Sequence, residues 1–159
     1  MLNKQTLISI EDALPGREQP MQIEDCHFVN QSSLTAPLAH HQQQILLGMG
    51  CFWGAERLFW QLDGVVSTSV GYAGGFTPNP TYEEVCTGKT GHTEVVRVVF
   101  DERVISLAQL LAVFWEKHDP TQACAKVTIS AHNIALRFTR TLKSSKNLLK
   151  NQNFCINKH

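Results

Sequence analysis

The segment LLGMGCFWGAERLFWQL, residues 46–62, joins an apolar run to a helical pattern, with one cysteine at the junction. QILLGMG (44–50) is short, continuously apolar and ends in glycine, which predicts a buried strand. After it, apolar residues recur at steps of three and four, which is typical of one buried helix face. That face consists of Phe52, Ala55, Leu58, Phe59 and Leu62. Asp63 and Gly64 then predict the end of the helix, with Gly64 in the terminating position.

Further elements follow this junction along the chain. VVSTSVGYAGG (65–75) predicts a second strand that runs into a glycine loop, and TEVVRVVFD (93–101) predicts a third strand. SLAQLLAVFWEKHD (106–119) predicts a helix with Ser106 as its N-cap, and residues 81–86 allow a helical turn. The order β-α-β-β-α predicts an α+β fold with a ferredoxin-like split βαβ core that lacks one strand.

Cys51 is expected at or just before the first turn of the first helix. Unpaired backbone N–H groups and the helix dipole favour an anion there, so the position favours the thiolate form of a cysteine. Gly50 and Gly54 keep neighbouring side chains from crowding the sulfur. A lone cysteine is nevertheless more often a small buried apolar residue, so from the pattern alone a nucleophile and a packing role both stay open. The packing interpretation is given to Cys26, Cys86, Cys124 and Cys155.

Composition predicts one cytoplasmic domain. The 159 residues suit a single domain, and no transmembrane-length apolar stretch occurs. Glu11 and Asp12 stand where a signal peptide would need an apolar run. The five cysteines lack paired or metal-ligand spacing, which indicates free thiols in a reducing compartment and no bound metal. The adjacent His40 and His41 are interpreted as a solvated pair for the same reason.

Charge divides the chain into two unlike parts. Residues 1–122 hold all 14 acidic residues and seven of the 14 basic ones, a net charge of −7. Residues 123–159 hold the other seven basic residues and no acidic one, a net charge of +7. A basic tail can bind nucleic acid, but this one has no interleaved aromatic residues and no recognised nucleic-acid motif. The sequence therefore predicts no nucleic-acid partner.

Three motifs in order carry a family resemblance. GCFWG (50–54) resembles the active-site signature of the A-type peptide methionine sulfoxide reductases (MsrA). GYAGGFTPNPTYEEVCTGKTGHTEVVRVVFD (71–101) and LLAVFWEKHDPTQ (110–122) continue the similarity. The resemblance implies a catalytic domain over about residues 44–122 and an N-terminal extension over residues 1–43.

The resemblance implies an activity and roles for five residues. The chain would reduce methionine-S-sulfoxide, free or in proteins, to methionine through the thiolate of Cys51 and a sulfenic acid intermediate. Glu94 matches the family's proton donor, and a carboxyl group in an apolar pocket has a raised pKa that lets it hold a proton. Tyr82 matches the tyrosine that hydrogen-bonds the sulfoxide oxygen. Phe52 and Trp53 match the wall that accepts the S-methyl group.

The resemblance also sets the expected partners. It implies a monomer without a bound cofactor, membrane or nucleic acid, which is reduced by an external thiol such as thioredoxin or dithiothreitol. The family's resolving cysteines lie in a glycine-rich C-terminal segment that this sequence does not contain, so an inactive or poorly folded fragment is the alternative. A hydrolytic cysteine enzyme is disfavoured because no histidine has a spacing that indicates a Cys–His pair, and His92 is interpreted as a loop residue.

Residues 123–159 do not resemble the family and are interpreted as out-of-frame translation. ACAKVTISAHNIALRFTR (123–140) can be encoded so that one added nucleotide after Gln122 yields GMRQGNDIGTQYRSAIYT, a family-like segment. The last strand and C-terminal segment would then be lost or replaced, together with a second substrate tyrosine. The lost strand would pair with the first one, so ILLGMG (45–50) is expected to become an exposed apolar edge. Residues 133–140 alternate in polarity and are expected to fill that edge weakly at best.

Overall fold

The computed structural model of the chain describes residues 8–117 and the backbone of residues 155–156. In this part of the chain four strands and three helices follow one another. They are β1 (Gln42–Leu47), α1 (Phe52–Trp60), β2 (Val65–Ala73), α2 (Tyr82–Cys86), β3 (Thr93–Asp101), α3 (Leu107–Lys117) and β4 (Cys155–Ile156). None of the helices in these residues has the length and hydropathy that crossing a bilayer requires.

The sheet has the order β1-β3-β2-β4, and β3 lies between the first two strands. Ile45 of β1 is opposite Val98, and Val70 of β2 is opposite Val96, both in antiparallel pairs. Because β1 and β2 are each antiparallel to β3, they run parallel to each other and are connected by α1. This arrangement is the split βαβ unit, and it confirms the α+β fold class predicted from the element order.

The core lies on one face of this sheet. Side chains alternate between the two faces of a strand, so every second residue of β1, β2 and β3 points towards the helices. The largest buried side chains of this cluster are Ile45, Leu47, Phe52, Phe59, Tyr72, Phe100, Leu110 and Phe114. On the opposite face a smaller cluster of Leu46, Ala73 and Val95 is buried. Leu34 is attached to that face, since Arg97 Nη1 donates to its carbonyl oxygen at 2.8 Å.

Most element bounds agree with the sequence pattern, but the bounds of β1 and the end of α1 do not. The strand predicted over residues 44–50 spans Gln42–Leu47. The helix ends at Trp60 with Gln61 as its C-cap, before Leu62 and Gly64. Gly64 has φ +92°, and a Cβ there would lie 2.8 Å from a side-chain carbon of Ile105, so the glycine serves the turn into β2. The predicted cap of the later helix is confirmed, because Ser106 Oγ accepts a hydrogen bond from the backbone of Gln109 at 3.3 Å.

The expectation for β1 is partly wrong. The strand does lie at the sheet edge, and within the described residues it pairs only with β3. Its apolar side chains are not exposed, however, since Ile45, Leu46 and Leu47 are at most 8% accessible. They are buried because each points into one of the two clusters rather than along the open edge. Residues 133–140, expected to fill that edge weakly, lie outside the described residues.

The tail contributes β4 at the other edge of the sheet. This two-residue strand pairs with Gly71 and Tyr72 of β2 and not with β1. The remainder of residues 123–159 lies outside the described residues, so their out-of-frame origin and the domain bounds at residues 43 and 122 stay predictions.

Candidate functional site

Cys51 is the N-cap residue of α1. Its side chain is exposed and makes no capping hydrogen bond to the helix. The backbone N–H groups of the first turn have no partner within the helix, and together with the helix dipole they favour negative charge at this end. An accessible sulfur in this position can act as a nucleophile in the thiolate form.

Glu94 lies directly beside the peptide group that follows Cys51. Its Oε2 accepts a hydrogen bond from the backbone N–H of Phe52 at 3.0 Å. Glu94 is the second residue of β3 and is in register with Tyr72 on β2, so the sheet holds it on the face that packs against α1. The fold therefore brings a carboxyl group and a thiol to the same end of one helix.

Tyr82 is the first residue of α2 and is 48% exposed. A hydrogen bond with the thiol of Cys86 raises the pKa of Tyr82, and negative charge on Cys86, Glu94 and Cys51 raises this pKa further. The hydroxyl thus lies within the electrostatic field of both Cys51 and Glu94. A neutral phenol can donate a hydrogen bond to a polarised oxygen bound between these groups.

Phe52 and Trp53 lie in different environments. Phe52 is only 2% exposed, and its ring packs against that of Tyr72 with 5.8 Å between ring centroids. Trp53 is 62% exposed and therefore offers an apolar surface next to Cys51 on the solvent side. Phe52 anchors the start of α1 in the core, while Trp53 is the more accessible of the two predicted wall residues.

The packing interpretation of two other cysteines is wrong. Cys26 and Cys86 are both exposed free thiols, because Cys26 lies in an isolated β-bridge with Ser33 at the surface and Cys86 ends a short surface helix. Cys86 also borders the candidate site, because a hydrogen bond with its thiol raises the pKa of Tyr82. The sequence contains a signal for this contact, because residues four apart share a helix face and Tyr82 and Cys86 have this spacing. Cys124 and the side chain of Cys155 lie outside the described residues.

His92 is a loop residue, as the sequence analysis predicts. Its Nδ1 accepts a hydrogen bond from the backbone of Gly75 at 3.3 Å, and Nε2 lies 2.8 Å from the carbonyl oxygen of Thr77. This pair of contacts assigns the proton to Nε2. Burial lowers the pKa of His92, which keeps the ring neutral in this role. Within the described residues, no three His, Cys, Asp or Glu side chains are grouped as metal ligands.

Comparison with known proteins relates this geometry to a family. The model of the family described as "Peptide methionine sulfoxide reductase" matches residues 43–132. A protein of Vibrio cholerae serotype O1 named "Peptide methionine sulfoxide reductase MsrA" is 72% identical over 122 residues, which are 77% of this chain and 58% of that protein. A protein of the same name from Brucella anthropi is 62% identical over 120 residues, 75% of this chain and 55% of that protein.

A solved structure is also similar. It is described as methionine sulfoxide reductase A of Corynebacterium diphtheriae, has 40% sequence identity and a TM-score of 0.71, and the match covers 80% of this chain and 63% of that one. The chain thus spans a little more than half the length of the curated relatives it matches.

Proposed function

The chain belongs to the peptide methionine sulfoxide reductase family, and from this membership we propose that it reduces methionine sulfoxide to methionine through the thiol of Cys51. The observation that carries the proposal is the 3.0 Å hydrogen bond between Glu94 Oε2 and the backbone N–H of Phe52. This contact brings an acid next to a nucleophile, and a sulfoxide needs both, because its sulfur is electrophilic and its oxygen is basic.

The proposed step uses three groups of the site. The Cys51 thiolate attacks the sulfoxide sulfur while Glu94 gives a proton to the oxygen and Tyr82 donates a hydrogen bond to it. The attack forms a bond between the two sulfurs, and the protonated oxygen then passes as a hydroxyl group to the Cys51 sulfur. The sulfur–oxygen bond of the substrate and the new sulfur–sulfur bond break, which releases methionine and leaves Cys51 as a sulfenic acid. Trp53, with Phe52 behind it, supplies the apolar surface for the S-methyl group. The S epimer is the expected substrate, free or in proteins.

An external thiol completes the proposed cycle. Two reducing equivalents must return Cys51–SOH to the thiol and release water, and thioredoxin or dithiothreitol can supply them. A monomer in the cytoplasm, where thiols stay reduced, suits this chemistry. Because the chain spans 58% of the Vibrio cholerae protein, turnover by the 159-residue chain is itself part of the proposal.

Cys51→Ser tests the proposal. We expect the 159-residue chain to reduce methionine-S-sulfoxide with dithiothreitol, and we expect the serine variant to lose turnover because its hydroxyl is a far weaker nucleophile. Cys26→Ser is the matched control, since Cys26 is another exposed free thiol and lies in an isolated β-bridge with Ser33 of the N-terminal extension. Product methionine is quantified with dithiothreitol and, separately, with thioredoxin.

The outcomes of this assay are distinct. Turnover with dithiothreitol alone supports chemistry at Cys51 without recycling by thioredoxin. A folded chain that gives no methionine with either reductant contradicts the proposal and favours an inactive fragment. Equal loss of turnover in Cys51→Ser and Cys26→Ser would also contradict the role of Cys51.

A further inference from the structure

We propose that Arg17, in the N-terminal extension, is a positioning residue that fixes the start of α2 and thereby orients Tyr82 towards Cys51. The inference rests on the proposed function, in which Tyr82 binds the sulfoxide oxygen. Arg17 lies before residue 43, where the match to the family model begins.

The guanidinium of Arg17 binds on both sides of Tyr82. Nη1 donates to the carbonyl oxygen of Asn79 at 2.6 Å, and Nη2 donates to Glu84 Oε1 at 2.8 Å. Asn79 precedes Tyr82 by three residues and Glu84 follows it by two. One side chain therefore connects the loop before α2 to its first turn, and Tyr82 lies within the segment that is held at both ends.

Glu84 joins this contact to the helix cap. Its Oε2 accepts from the backbone N–H of Thr81 at 2.8 Å, while Thr81 Oγ1 accepts from the backbone N–H of Glu84 at 3.3 Å. This reciprocal pair is a capping box. The hydrogen bond from Thr81 and the contact with Arg17 lower the pKa of Glu84, so the carboxylate is ionised at neutral pH. The carboxylate of Glu84 therefore binds both the backbone of Thr81, the residue before Tyr82, and the guanidinium of Arg17.

The backbone around Arg17 is fixed independently of its side chain. Its N–H donates to the carbonyl of Pro78 at 3.1 Å, and its carbonyl accepts from Asn79 Nδ2 at 2.9 Å. Gly16 has φ +64°, and a Cβ there would lie 2.2 Å from the Pro78 oxygen, so only glycine allows this close approach. A change of the Arg17 side chain should therefore leave the extension attached and remove only the link to Glu84.

The expected effect is larger on rate than on stability. The Arg17–Glu84 ion pair is partly exposed, and such pairs contribute little to folding. A small displacement of a group that contacts the reacting atoms can lower the rate by up to about 100-fold. We expect a decrease of roughly tenfold in kcat/KM, mainly in kcat, because the hydrogen bond from Tyr82 strengthens as charge develops on the oxygen.

The test compares Arg17→Gln, Glu84→Gln and the double variant in the 159-residue chain. Glutamine at position 84 can keep the capping box while removing the ion pair. Arg103→Gln is the matched control, since Arg103 also pairs with a carboxylate, Asp101 at 2.6 Å, outside the site. Steady-state kinetics with dithiothreitol give kcat and KM for each variant.

A second measurement does not depend on activity. The chain has two tyrosines, and Tyr72 is fully buried, so an ultraviolet titration of phenolate formation reports on Tyr82. The hydrogen bond with Cys86 and the charges on Cys86, Glu94 and Cys51 raise the pKa of Tyr82 in the native chain. If Arg17 orients this residue, both single variants shift that pKa towards the ordinary value of 10, and the Arg103 variant does not.

The possible results distinguish a failure of the inference about Arg17 from a failure of the proposed function. Lower kcat with a shifted Tyr82 titration in both single variants, and no further loss in the double variant, supports the inference. Unchanged kcat and an unchanged titration in Arg17→Gln would overturn it. If the native chain gives no turnover, the proposed function fails while the titration still decides the inference. If Arg17→Gln does not fold, Glu84→Gln and Arg17→Lys decide by the same readouts.

Discussion

The carboxyl group of Glu94 has two tasks at the proposed site. It accepts the hydrogen bond from the backbone of Phe52, and in the proposed reaction it supplies a proton to the sulfoxide oxygen. The first task needs only an oxygen acceptor, whereas the second needs an ionisable acid. Substitutions at this position can therefore separate the structural contribution from the chemical one.

We expect Glu94→Gln to keep the contact with Phe52 and to lose the proton transfer. General acid catalysis contributes about 10²- to 10⁴-fold, so kcat/KM should fall by at least roughly 100-fold while the melting temperature changes little. Glu94→Ala should show the same loss of rate and also a lower melting temperature. The measurements are methionine formation with dithiothreitol and thermal unfolding. A glutamine variant with native kcat/KM would show that Glu94 is not the acid.

Also at the residue scale, the sequence predicts which residues form the candidate site more readily than it predicts the contacts between them. The motif around Cys51 predicts the helix start, and Cys51 is the N-cap of α1. The pairing of Glu94 with the backbone of Phe52 was not predictable, because it depends on the register between two strands 20 residues apart and on the start of a helix. Residue type alone predicts a buried Cys86, whereas its place at the end of a short surface helix makes it exposed.

At the scale of elements, the N-terminal extension is held on the domain by a chain of polar contacts. The buried His27 lies with Nε2 2.8 Å from Thr68 Oγ1, and this hydroxyl donates to Glu56 Oε1 at 2.9 Å. The backbone N–H of Val29 donates to His27 Nδ1 at 3.2 Å, which assigns the proton to Nε2. The contacts link the turn at residues 27–30 to α1 and β2 at once.

Stability should depend on pH through His27. Burial lowers its pKa below the ordinary 6.5, and the charge of Glu56 only partly opposes this. The unfolded chain therefore binds a proton that the folded chain does not, so the free energy of unfolding is highest above pH 6.5 and falls as the pH decreases below that value. We expect His27→Ala to lower the free energy of unfolding by about 1–3 kcal/mol at pH 7.5. In this variant the free energy of unfolding should also decrease less steeply as the pH falls below 6.5.

The measurement is urea unfolding at several pH values between about 5 and 8. His40→Ala is the control, since His40 is exposed. Some pH dependence should persist in His27→Ala, because burial also lowers the pKa of His92. Identical stability and identical pH dependence in the native chain and His27→Ala would contradict the role of His27.

The elements themselves follow from periodicity, whereas the path of the extension does not. β3 begins and ends where alternation of Val96, Val98 and Phe100 predicts, because these three side chains are buried on one face of the strand. Residues 8–41 have no apolar period, and single polar contacts such as those of Arg17 and His27 attach them to the domain. Contacts between residues far apart in sequence leave no local pattern, so they could not be predicted.

At the scale of the whole molecule, the sheet is asymmetric in its pairing. In the part of the chain that the structure describes, β1 carries the chain towards Cys51 and lies at an edge, while β4 pairs with two residues of β2 at the other edge. An edge strand presents unpaired N–H and C=O groups to which another chain can add. The buried side chains of β1 reduce this hazard, but no strand among the described residues pairs with the backbone groups on its outer side.

Restoring the proposed reading frame should supply a partner for β1. One nucleotide inserted after the codon for Gln122 is expected to encode GMRQGNDIGTQYRSAIYT in place of residues 123–140. By the family resemblance this segment contains a strand that pairs with β1 and a second tyrosine for the sulfoxide oxygen. We expect a higher melting temperature, where each kcal/mol gained corresponds to about 2–4 °C, and higher kcat/KM with dithiothreitol.

Insertion of three nucleotides at the same site is the matched control, because it lengthens the chain by one residue and leaves the tail in its present frame. Circular dichroism melts and the dithiothreitol assay then compare the three proteins, and sequencing of the locus shows whether the added base reproduces the family-like segment. Stabilisation by both insertions, or by neither, would contradict the frame hypothesis. Stabilisation by the single insertion alone would show that the edge of β1 lacks its natural partner, since only that product differs in the sequence able to pair there.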